Sequence, residues 1–391
     1  MWKILSLQIM LSLYVFSANA QNKLSSDSTL LANEVKKKNK LNFKASISRT
    51  SSHLNYDIYI ADNWVKDPNI VNRFEYYEQI HAAYIRLSKN LDKFTLQADL
   101  YGDYTRTTGR LTTTGEINKT NYFNIFPTFI VSYQTAQQHT IGLLYKRMIS
   151  RPGFSQVNPF ENILAAYSFI STHPYLIPAY THNFQLLYTY RLPFISRLGY
   201  SATSDLITLT PIDDNKNQHY RMIRKNFMKN HNISTMINYR IAIFKIWMVS
   251  LTVQGAYQIN ISDETSDKLV HRGTSLTVQL NHKINITPTF SAGITGLYFS
   301  GINQGNFVIH PIGNFSAGLQ KWLFNDLLVL SLTLNDILQT SKEKGYVRHE
   351  NIHYYLISER INRRFNLTAR VRLFSSSRND GSKSKKKAME N

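Results

Sequence analysis

Residues 94–104 read FTLQADLYGDY, and apolar or small side chains occupy every second position of this stretch. Successive side chains of an extended strand point to opposite faces, so this alternation predicts a β-strand with one apolar and one polar face. The same alternation recurs in residues 183–190, 276–281, 328–335 and 365–373. The sequence therefore predicts an all-β fold.

The length of the alternating segments distinguishes two kinds of β-protein. A soluble sandwich and a membrane barrel share the alternation, because the apolar face meets a core in one and lipid in the other. Membrane strands need about 9–11 residues, whereas soluble strands average about 5–6. Residues 121–134 are long enough to form a membrane strand. We predict an antiparallel transmembrane β-barrel of about 14–16 strands. A Tyr-rich soluble β-protein is the alternative, since the chain has 24 Tyr and 21 Phe.

Polar breaks of two lengths separate the alternating segments. The short breaks predict tight turns at residues 89–93, 135–138, 192–194, 283–285 and 324–326. The long ones predict loops at residues 106–120, 150–178, 213–230, 262–273 and 341–347. Short turns that alternate with long loops are typical of outer-membrane barrels, whose turns face the periplasm and whose loops face outward.

The two ends of the chain differ from its middle in composition. Residues 1–20 predict a signal peptide, because Lys3 precedes an apolar run that ends at Ala18-Asn19-Ala20, a small-x-small cleavage site. We predict a polar leader at residues 21–40, the barrel at residues 41–374 and a basic disordered tail at residues 375–391. The predicted location is the outer membrane, after export.

Charge and composition exclude several classes of function. Lys and Arg number 45 against 25 Asp and Glu, a formal net charge of +20. Such a charge is typical of nucleic-acid binders, but an exported chain does not meet nucleic acid, and its charge lies partly in Lys-rich runs near both ends. We therefore predict outer-membrane lipid as a partner and no nucleic acid. The absence of Cys excludes disulfides, thiolate metal sites and a Cys nucleophile.

A short motif at residues 349–353, HENIH, matches the zinc pattern H-E-x-x-H. That pattern requires a helix, and residues four apart in a strand lie about 13 Å from each other, too far to share one zinc ion. No G-x-S-x-G, P-loop or G-x-G-x-x-G motif occurs in the chain. We predict no enzyme, no cofactor and no metal site. A Ser-His-Asp triad with members distant in sequence is the remaining enzymatic alternative.

A proline-punctuated segment interrupts the strands. Residues 151–160 read RPGFSQVNPF and residues 173–181 read HPYLIPAYT. Each proline lacks the N–H that a ladder needs, so this segment cannot form a central strand. It is predicted to be an ordered loop of about 28 residues, which either has a function or covers a barrel rim.

This segment resembles the central signature of a family of outer-membrane β-barrel proteins that are related to TonB-dependent receptors and abundant in the Bacteroidota. The signature positions are Arg151, Pro152, Asn158, Pro159, Phe160, Pro174, Leu176 and Pro178. Residues 74–84, 126–128 and 334–338 fit further family elements in the same order, so the resemblance covers about residues 70–374. The chain departs from the family pattern at Val157, where Leu is usual, and at Thr172-His173, where Gly-Asn is usual.

The resemblance implies a receptor-type transporter. Receptors of this kind resemble a carboxypeptidase-regulatory-like domain and a plug followed by a barrel, whereas this chain reaches its barrel within about 50 residues. We therefore predict a plug-less relative that gives solute passage or surface binding. A structural or surface-interaction barrel without transport, a receptor remnant, is the alternative.

The predicted site and partners follow from this interpretation. Partners would be an unknown solute or surface partner and a separate plug or energy-coupling protein. Polar side chains on the strands would line the lumen and set selectivity. They are Gln97, Asp99, Gln185, Gln279, Asn281, Arg370 and Arg372.

Overall fold

Long antiparallel strands follow one another in the computed structural model of the chain. The structure describes residues 40–54, 57–60, 63–66, 72–112, 114–135, 138–160, 162–165, 168–172, 175–191, 193–214, 219–244, 246–262, 270–304, 307–349, 352–358 and 362–371. The predicted signal peptide, the leader up to residue 39 and the predicted tail lie outside the described residues. The same holds for Pro174 of the signature and for Arg372 of the predicted lumen.

Regular structure consists of 22 strands and one short helix in the described part of the chain. The strands are β1 (Lys40–Leu54), β2 (Asp57–Ile60), β3 (Asn63–Lys66), β4 (Asn72–Leu91), β5 (Phe94–Leu111), β6 (Glu116–Gln134), β7 (His139–Ser150), β8 (Asn162–Ala165), β9 (Ser168–Ser171), β10 (Ala179–Tyr190), β11 (Phe194–Asp214), β12 (His219–Ile243), β13 (Trp247–Ser262), β14 (Val270–Thr287), β15 (Phe290–Phe299), β16 (Ile302–Gln304), β17 (Phe307–Ile309), β18 (Ile312–Leu323), β19 (Leu328–Asn335), β20 (Glu343–His349), β21 (Ile352–Ser358) and β22 (Arg364–Val371). The helix is α1 (Phe154–Val157).

Fourteen of these strands form one path of hydrogen-bonded neighbours. The order is β1-β4-β5-β6-β7-β10-β11-β12-β13-β14-β15-β18-β19-β22, and every contact along it is antiparallel. The β8–β9 hairpin joins the same sheet through a parallel pairing of β9 with β12, which brings it to 16 strands. Two small sheets, β2–β3 and β16-β17-β20-β21, lie outside the path.

The two faces of the sheet have opposite chemical character. One face exposes large apolar side chains, such as Leu143 at 57% and Phe129 at 51% of their surface. The other face buries polar ones, such as Asp103 at 1% and Gln185 at 8% exposed. A water-soluble protein shows the reverse, because water favours exposed polar groups and buried apolar ones. The apolar face therefore meets lipid, and the prediction of an antiparallel transmembrane β-barrel of 14–16 strands is confirmed.

Aromatic rings mark the end of the strands that carries the short turns. Phe94 and Tyr133 lie 4.7 Å apart between ring centroids, and His139 and Tyr190 lie 4.4 Å apart. Rings with an apolar body and a polar tip are suited to the lipid–water boundary.

In the described residues, no helix has the length and apolarity that crossing a membrane requires.

Besides the loop predicted at 150–178, which contains β8 and β9, four of the predicted loops contain strand residues. Strand β14 begins at Val270, inside the loop predicted at 262–273, and β20 (Glu343–His349) occupies most of the loop predicted at 341–347. The loop at 106–120 shrinks to residues 112–115, because β5 and β6 pair up to Leu111 and Glu116. Most of the loop predicted at 213–230 is strand, because β11 and β12 pair up to Asp214 and His219. Backbone ladders do not depend on side-chain polarity, so these hairpins continue as polar strands beyond the apolar belt.

The turn predicted at residues 283–285 was also wrong. Strand β14 continues to Thr287, and Ile284 pairs with Trp247 of β13. Lys283 and Asn285 are polar because they face inward, on the same face as Asn281. Alternation and turn composition look alike over three residues, which explains the error.

Candidate functional site

The proline-punctuated segment folds into the end of the barrel that carries the long loops. We call residues 151–178 the mouth loop. It leaves β7 at Ser150, contains α1 and the β8–β9 hairpin, and rejoins the wall at Ala179. Val157, Phe160 and Leu176 of the loop form a buried cluster with Phe74 of β4.

The wall residues of this cluster face the interior of the barrel. Phe74 stands opposite Leu111, and Tyr76 stands opposite Gly109. The Phe74 ring lies 5.8 Å from the ring of Phe154 in α1. Directly opposed residues of antiparallel strands share a face, and this face continues to the buried Asp103. The mouth loop therefore packs inside the rim.

An ion pair fixes the start of the loop to the wall. The Arg151 guanidinium donates to Asp103 Oδ2 at 2.5 Å, and the Asp103 side chain is fully buried. The guanidinium also lies 6.0 Å from the centre of the Tyr122 ring. Burial lowers the pKa of Arg151, but the hydrogen bond and charge of Asp103 outweigh it and raise that pKa overall. Loss of one partner of a buried pair typically costs about 3–5 kcal/mol.

A single asparagine holds the end of the loop. Asn226 Nδ2 donates to the carbonyl oxygen of Ile177 at 2.8 Å, and Asn226 Oδ1 accepts from the Ile177 N–H at 3.0 Å. The same Nδ2 donates to the Asp205 carbonyl oxygen at 2.6 Å. The side-chain amide thus pairs with the backbone of Ile177 as a neighbouring strand would.

A β-bulge places Asn226 in this position. The register of β11 and β12 shifts on both sides of Leu206, and Asp205 has a φ of 54°. After the shift, Asn226 stands opposite Ile207, which packs against the buried cluster of the mouth loop. Bulges redirect a side chain at the cost of one ladder pair.

Further contacts order the middle of the mouth loop. Gln156 Oε1 accepts from the Gly153 N–H at 2.9 Å and closes the first turn of α1. The Thr172 hydroxyl donates to the Asn158 carbonyl oxygen. The Tyr175 hydroxyl donates to Glu116 Oε1 at 2.5 Å, and this hydrogen bond raises the pKa of Tyr175. The loop is therefore attached to β5, β6 and β12.

A narrow recess of about 20 Å³ lies between the mouth loop and the wall. Rings of Tyr76 and Tyr122, polar groups of Thr107 and Thr120, and the side chain of Arg151 line it. Several buried polar atoms beside it have no protein partner in the described part of the chain: Asp103 Oδ1, Thr105 Oγ1, Asn124 Nδ2 and Arg151 Nε. Buried polar groups need hydrogen-bond partners, and the recess has room for about one water molecule that could bind them.

Six of the seven predicted lumen residues share the polar face, and the seventh, Arg372, lies outside the described residues. The register places Gln97 and Asp99 on the face of Asp103, and places Gln279 and Asn281 on one face of β14. Gln185 is 8% exposed. Arg370 lies on β22, opposite Val329, and is exposed. That these residues set selectivity stays a prediction.

A second polar cluster lies nearer the turns. Arg86 Nε and Nη2 donate to the two oxygens of Asp99, each at 2.9 Å. Gln97 Nε2 donates to Asp99 Oδ2 at 3.0 Å. Farther around the sheet, Thr295 Oγ1 donates to Asn281 Oδ1 at 3.0 Å. The interior wall therefore carries polar clusters both near the mouth loop and nearer the short turns.

The zinc-like motif lies in a hairpin. His349 ends β20 and pairs with Ile352 at the start of β21, and Glu350 and Asn351 lie outside the described residues. Among the described residues, no three His, Asp or Glu side chains come close enough to hold a metal ion.

Removal of the asparagine clamp should release the end of the mouth loop. Asn226→Leu deletes three hydrogen bonds, each with a net value of about 0.5–1.5 kcal/mol, so amide exchange at Ile177 should accelerate at least tenfold. Hydrogen exchange with mass spectrometry measures this. Asn230→Leu is the matched control, since Asn230 binds Asn260 and does not contact the loop. Equal amide exchange rates at Ile177 in both variants would show that Asn226 does not hold the end of the mouth loop.

Comparisons with known proteins agree with this architecture. A family model described as an outer membrane protein beta-barrel family matches residues 8–370. The siderophore receptor PiuA from Acinetobacter baumannii is 13% identical, with 85% of this chain and 52% of that chain covered and a TM-score of 0.56. The copper transporter OprC is 10% identical, with 78% and 49% covered and a TM-score of 0.57.

The siderophore receptor PirA from Pseudomonas aeruginosa is 11% identical, with 83% and 67% covered and a TM-score of 0.47. The chain thus spans about half to two thirds of the solved structures it matches. No curated protein sequence matches it significantly. At these identities, the likeness to PiuA and OprC shows a shared barrel fold and nothing about ligands.

Proposed function

Because the chain belongs to the outer membrane protein beta-barrel family, we propose that it is a receptor-like barrel of the outer membrane that gives passage or binding to a small polar solute at its mouth. The observation that carries the proposal is the mouth loop, which is packed inside the rim and anchored through Arg151, Asp103 and Asn226. Long ordered loops in compact domains usually have a function. The proposal assigns no reaction to the protein.

The interior chemistry supports a polar solute. The recess combines aromatic rings, hydroxyl groups and buried polar atoms that the protein leaves without partners. Below it, the predicted lumen residues Gln97, Asp99 and Gln185 would offer further hydrogen bonds to a passing solute. A plug or energy-coupling function would come from a separate protein.

Single-channel recording in planar bilayers tests the proposal. The purified, folded barrel should give small, discrete conductance steps, because the mouth loop packs inside the rim and should narrow the path. A solute that binds at the mouth should shorten or block these steps. A folded barrel that never conducts and that no solute stabilises against unfolding would contradict the proposal.

A structural or surface-interaction barrel is the second candidate, and the packed mouth loop favours it as well, because the loop covers the entrance. The two candidates differ when the loop is removed. A transport barrel then conducts more, whereas an interaction barrel whose lumen is filled by side chains stays closed and loses its partner.

A further inference from the structure

The barrel wall has a break between β6 and β7. Strand β6 pairs with β5 over its whole length, from Tyr133 to Glu116. Its pairing with β7 ends at Thr128, opposite Lys146. Strand β7 meanwhile keeps its pairing with β10 up to Ser150. From Thr128 toward the end of the barrel that carries the long loops, β6 and β7 therefore separate. Over this length β6 stays paired with β5, and β7 stays paired with β10.

A proline stands where the ladder ends. The Gln134 N–H donates to the Lys93 carbonyl oxygen, so even-numbered residues of β6 direct their backbone groups toward the β5 side. Backbone groups alternate along a strand, so odd-numbered residues direct theirs toward β7. Pro127 is odd-numbered and has no N–H to give. The ladder with β7 therefore loses a donor at the first position above Thr128.

Side chains bridge the break in place of backbone bonds. Arg147 Nη1 donates to the Ile125 carbonyl oxygen at 3.0 Å, and that oxygen belongs to the odd-numbered set. The Tyr180 hydroxyl donates to Asn124 Oδ1 at 2.9 Å. The Arg147 guanidinium lies 5.0 Å from the centre of the Tyr180 ring. These contacts form a latch that can open without breaking a strand pairing.

The break lies partly within the apolar belt. Ile125 and Phe123 are 44% and 65% exposed on the outer face of β6. On the inner face of the same stretch, Asn124 and Phe126 are 6% and 7% exposed. Open sheet edges do not occur in contact with lipid, because hydrocarbon satisfies no backbone group. A molecule that covers this edge must therefore carry polar groups as well as an apolar part.

Three cations lie on the β5–β6 side of the break, toward its outer end. Arg106, Arg110 and Lys119 are exposed on the outer face of the β5–β6 hairpin, beyond Tyr104 and Phe123. That face carries no acidic side chain along the described lengths of β5 and β6. Glu75 stands opposite Arg110 on β4, but it forms its ion pair with Arg73 at 2.9 Å.

We propose that the break between β6 and β7 is a lateral site for an anionic membrane lipid, with its acyl chain against Ile125 and its headgroup at Arg106, Arg110 and Lys119. Arginine forks bind phosphate oxygens strongly, and cations near a bilayer surface attract anionic lipids. The site depends on the broken ladder and the cationic hairpin, and it stands whether or not a solute crosses the lumen.

Brominated lipids test whether an acyl chain enters the break. Phe126→Trp places a fluorophore on the inner side of β6, beside Pro127. The variant's Trp fluorescence in excess of the parent protein's is the quantity measured. Brominated phosphatidylglycerol vesicles should quench it at least twofold more than brominated phosphatidylcholine vesicles. Gln258→Trp is the matched control, because Gln258 faces inward on the continuously paired β13 and should be unaffected by either lipid. Equal quenching of the two variants, or equal quenching by the two lipids, would overturn the proposal.

Two further variants separate the break from the headgroup site. Replacement of Arg106, Arg110 and Lys119 by Gln in the Phe126→Trp protein should reduce phosphatidylglycerol quenching to the phosphatidylcholine level. The chain has no Cys, so an engineered pair reports strand spacing alone. Val131→Cys with Leu143→Cys joins a true cross-strand pair, and its disulfide should form at least tenfold faster than that of Ile125→Cys with Ile149→Cys. Similar rates, or unchanged quenching in the triple variant, would overturn the proposal.

Discussion

Replacement of residues 152–177 by a short Gly-Ser linker is expected to raise the single-channel conductance several-fold. The mouth loop packs four apolar side chains and an ion pair inside the rim, so its removal should widen the entrance. The strands keep their pairing, because only β9 of the loop contributes to the sheet, at one side of β12. Recording in planar bilayers, with strand content checked by circular dichroism, measures the effect.

A charge reversal tests whether the packed position of the mouth loop, and not only its presence, limits the conductance. Arg151→Glu places two carboxylates beside each other and should release the loop, since breaking a buried pair costs about 3–5 kcal/mol. Its conductance should approach that of the linker variant. The double variant Arg151→Glu with Asp103→Arg restores the opposite charges and should return the conductance toward the parent value. A linker variant that conducts like the parent would show that the mouth loop does not limit passage.

Arginine at two consecutive positions of β7 is expected to have very different costs. Leu143 is 57% exposed on the apolar face, and Leu144 lies on the opposite face, between Ile130 and Gln185. Leu143→Arg puts a charge into lipid near the middle of the belt and should lower the free energy of unfolding by about 2–4 kcal/mol. Leu144→Arg puts the same charge into a polar interior and should lower it much less.

Denaturant titration of both variants in lipid vesicles makes this comparison. The substitution and the strand are the same, so the difference between the variants reports only the face. A larger cost for Leu144→Arg than for Leu143→Arg would mean that the apolar face is not the lipid face. The soluble alternative does not predict a large cost at Leu143, where the side chain would meet water.

The alternation of residues 94–104 predicted both a strand and which of its side chains face the interior. It places Asp103 on the polar face together with Gln97 and Asp99, and the structure has all three on one face. The partner of Asp103 could not be predicted, because Arg151 lies 48 residues away and meets it only when the mouth loop turns inward.

The Asn226 clamp had no local signal. Asn226 lies in a stretch of polar residues that composition assigns to a loop, and a bulge at Asp205 sets its position. A bulge depends on the pairing of two strands and cannot be read from either alone. Pro127 illustrates the same limit: its position in a strand was predicted, but its effect depends on the neighbouring β7.

A sheet that spans the membrane must close, because lipid satisfies no backbone group of an open edge. Among the described strands of the path, β1 and β22 each have one neighbour, and an even path of fourteen antiparallel strands makes these two run in opposite directions, as a closed antiparallel barrel requires. Leu41 stands opposite the outward Ile85, and Phe365 is 65% exposed. Oxidation of the Leu41→Cys, Phe365→Cys protein in lipid vesicles tests closure directly, with Ile237→Cys, Phe365→Cys as the distant control. A closed barrel predicts an intramolecular disulfide in the first protein and none in the second; the absence of a disulfide in both would contradict it.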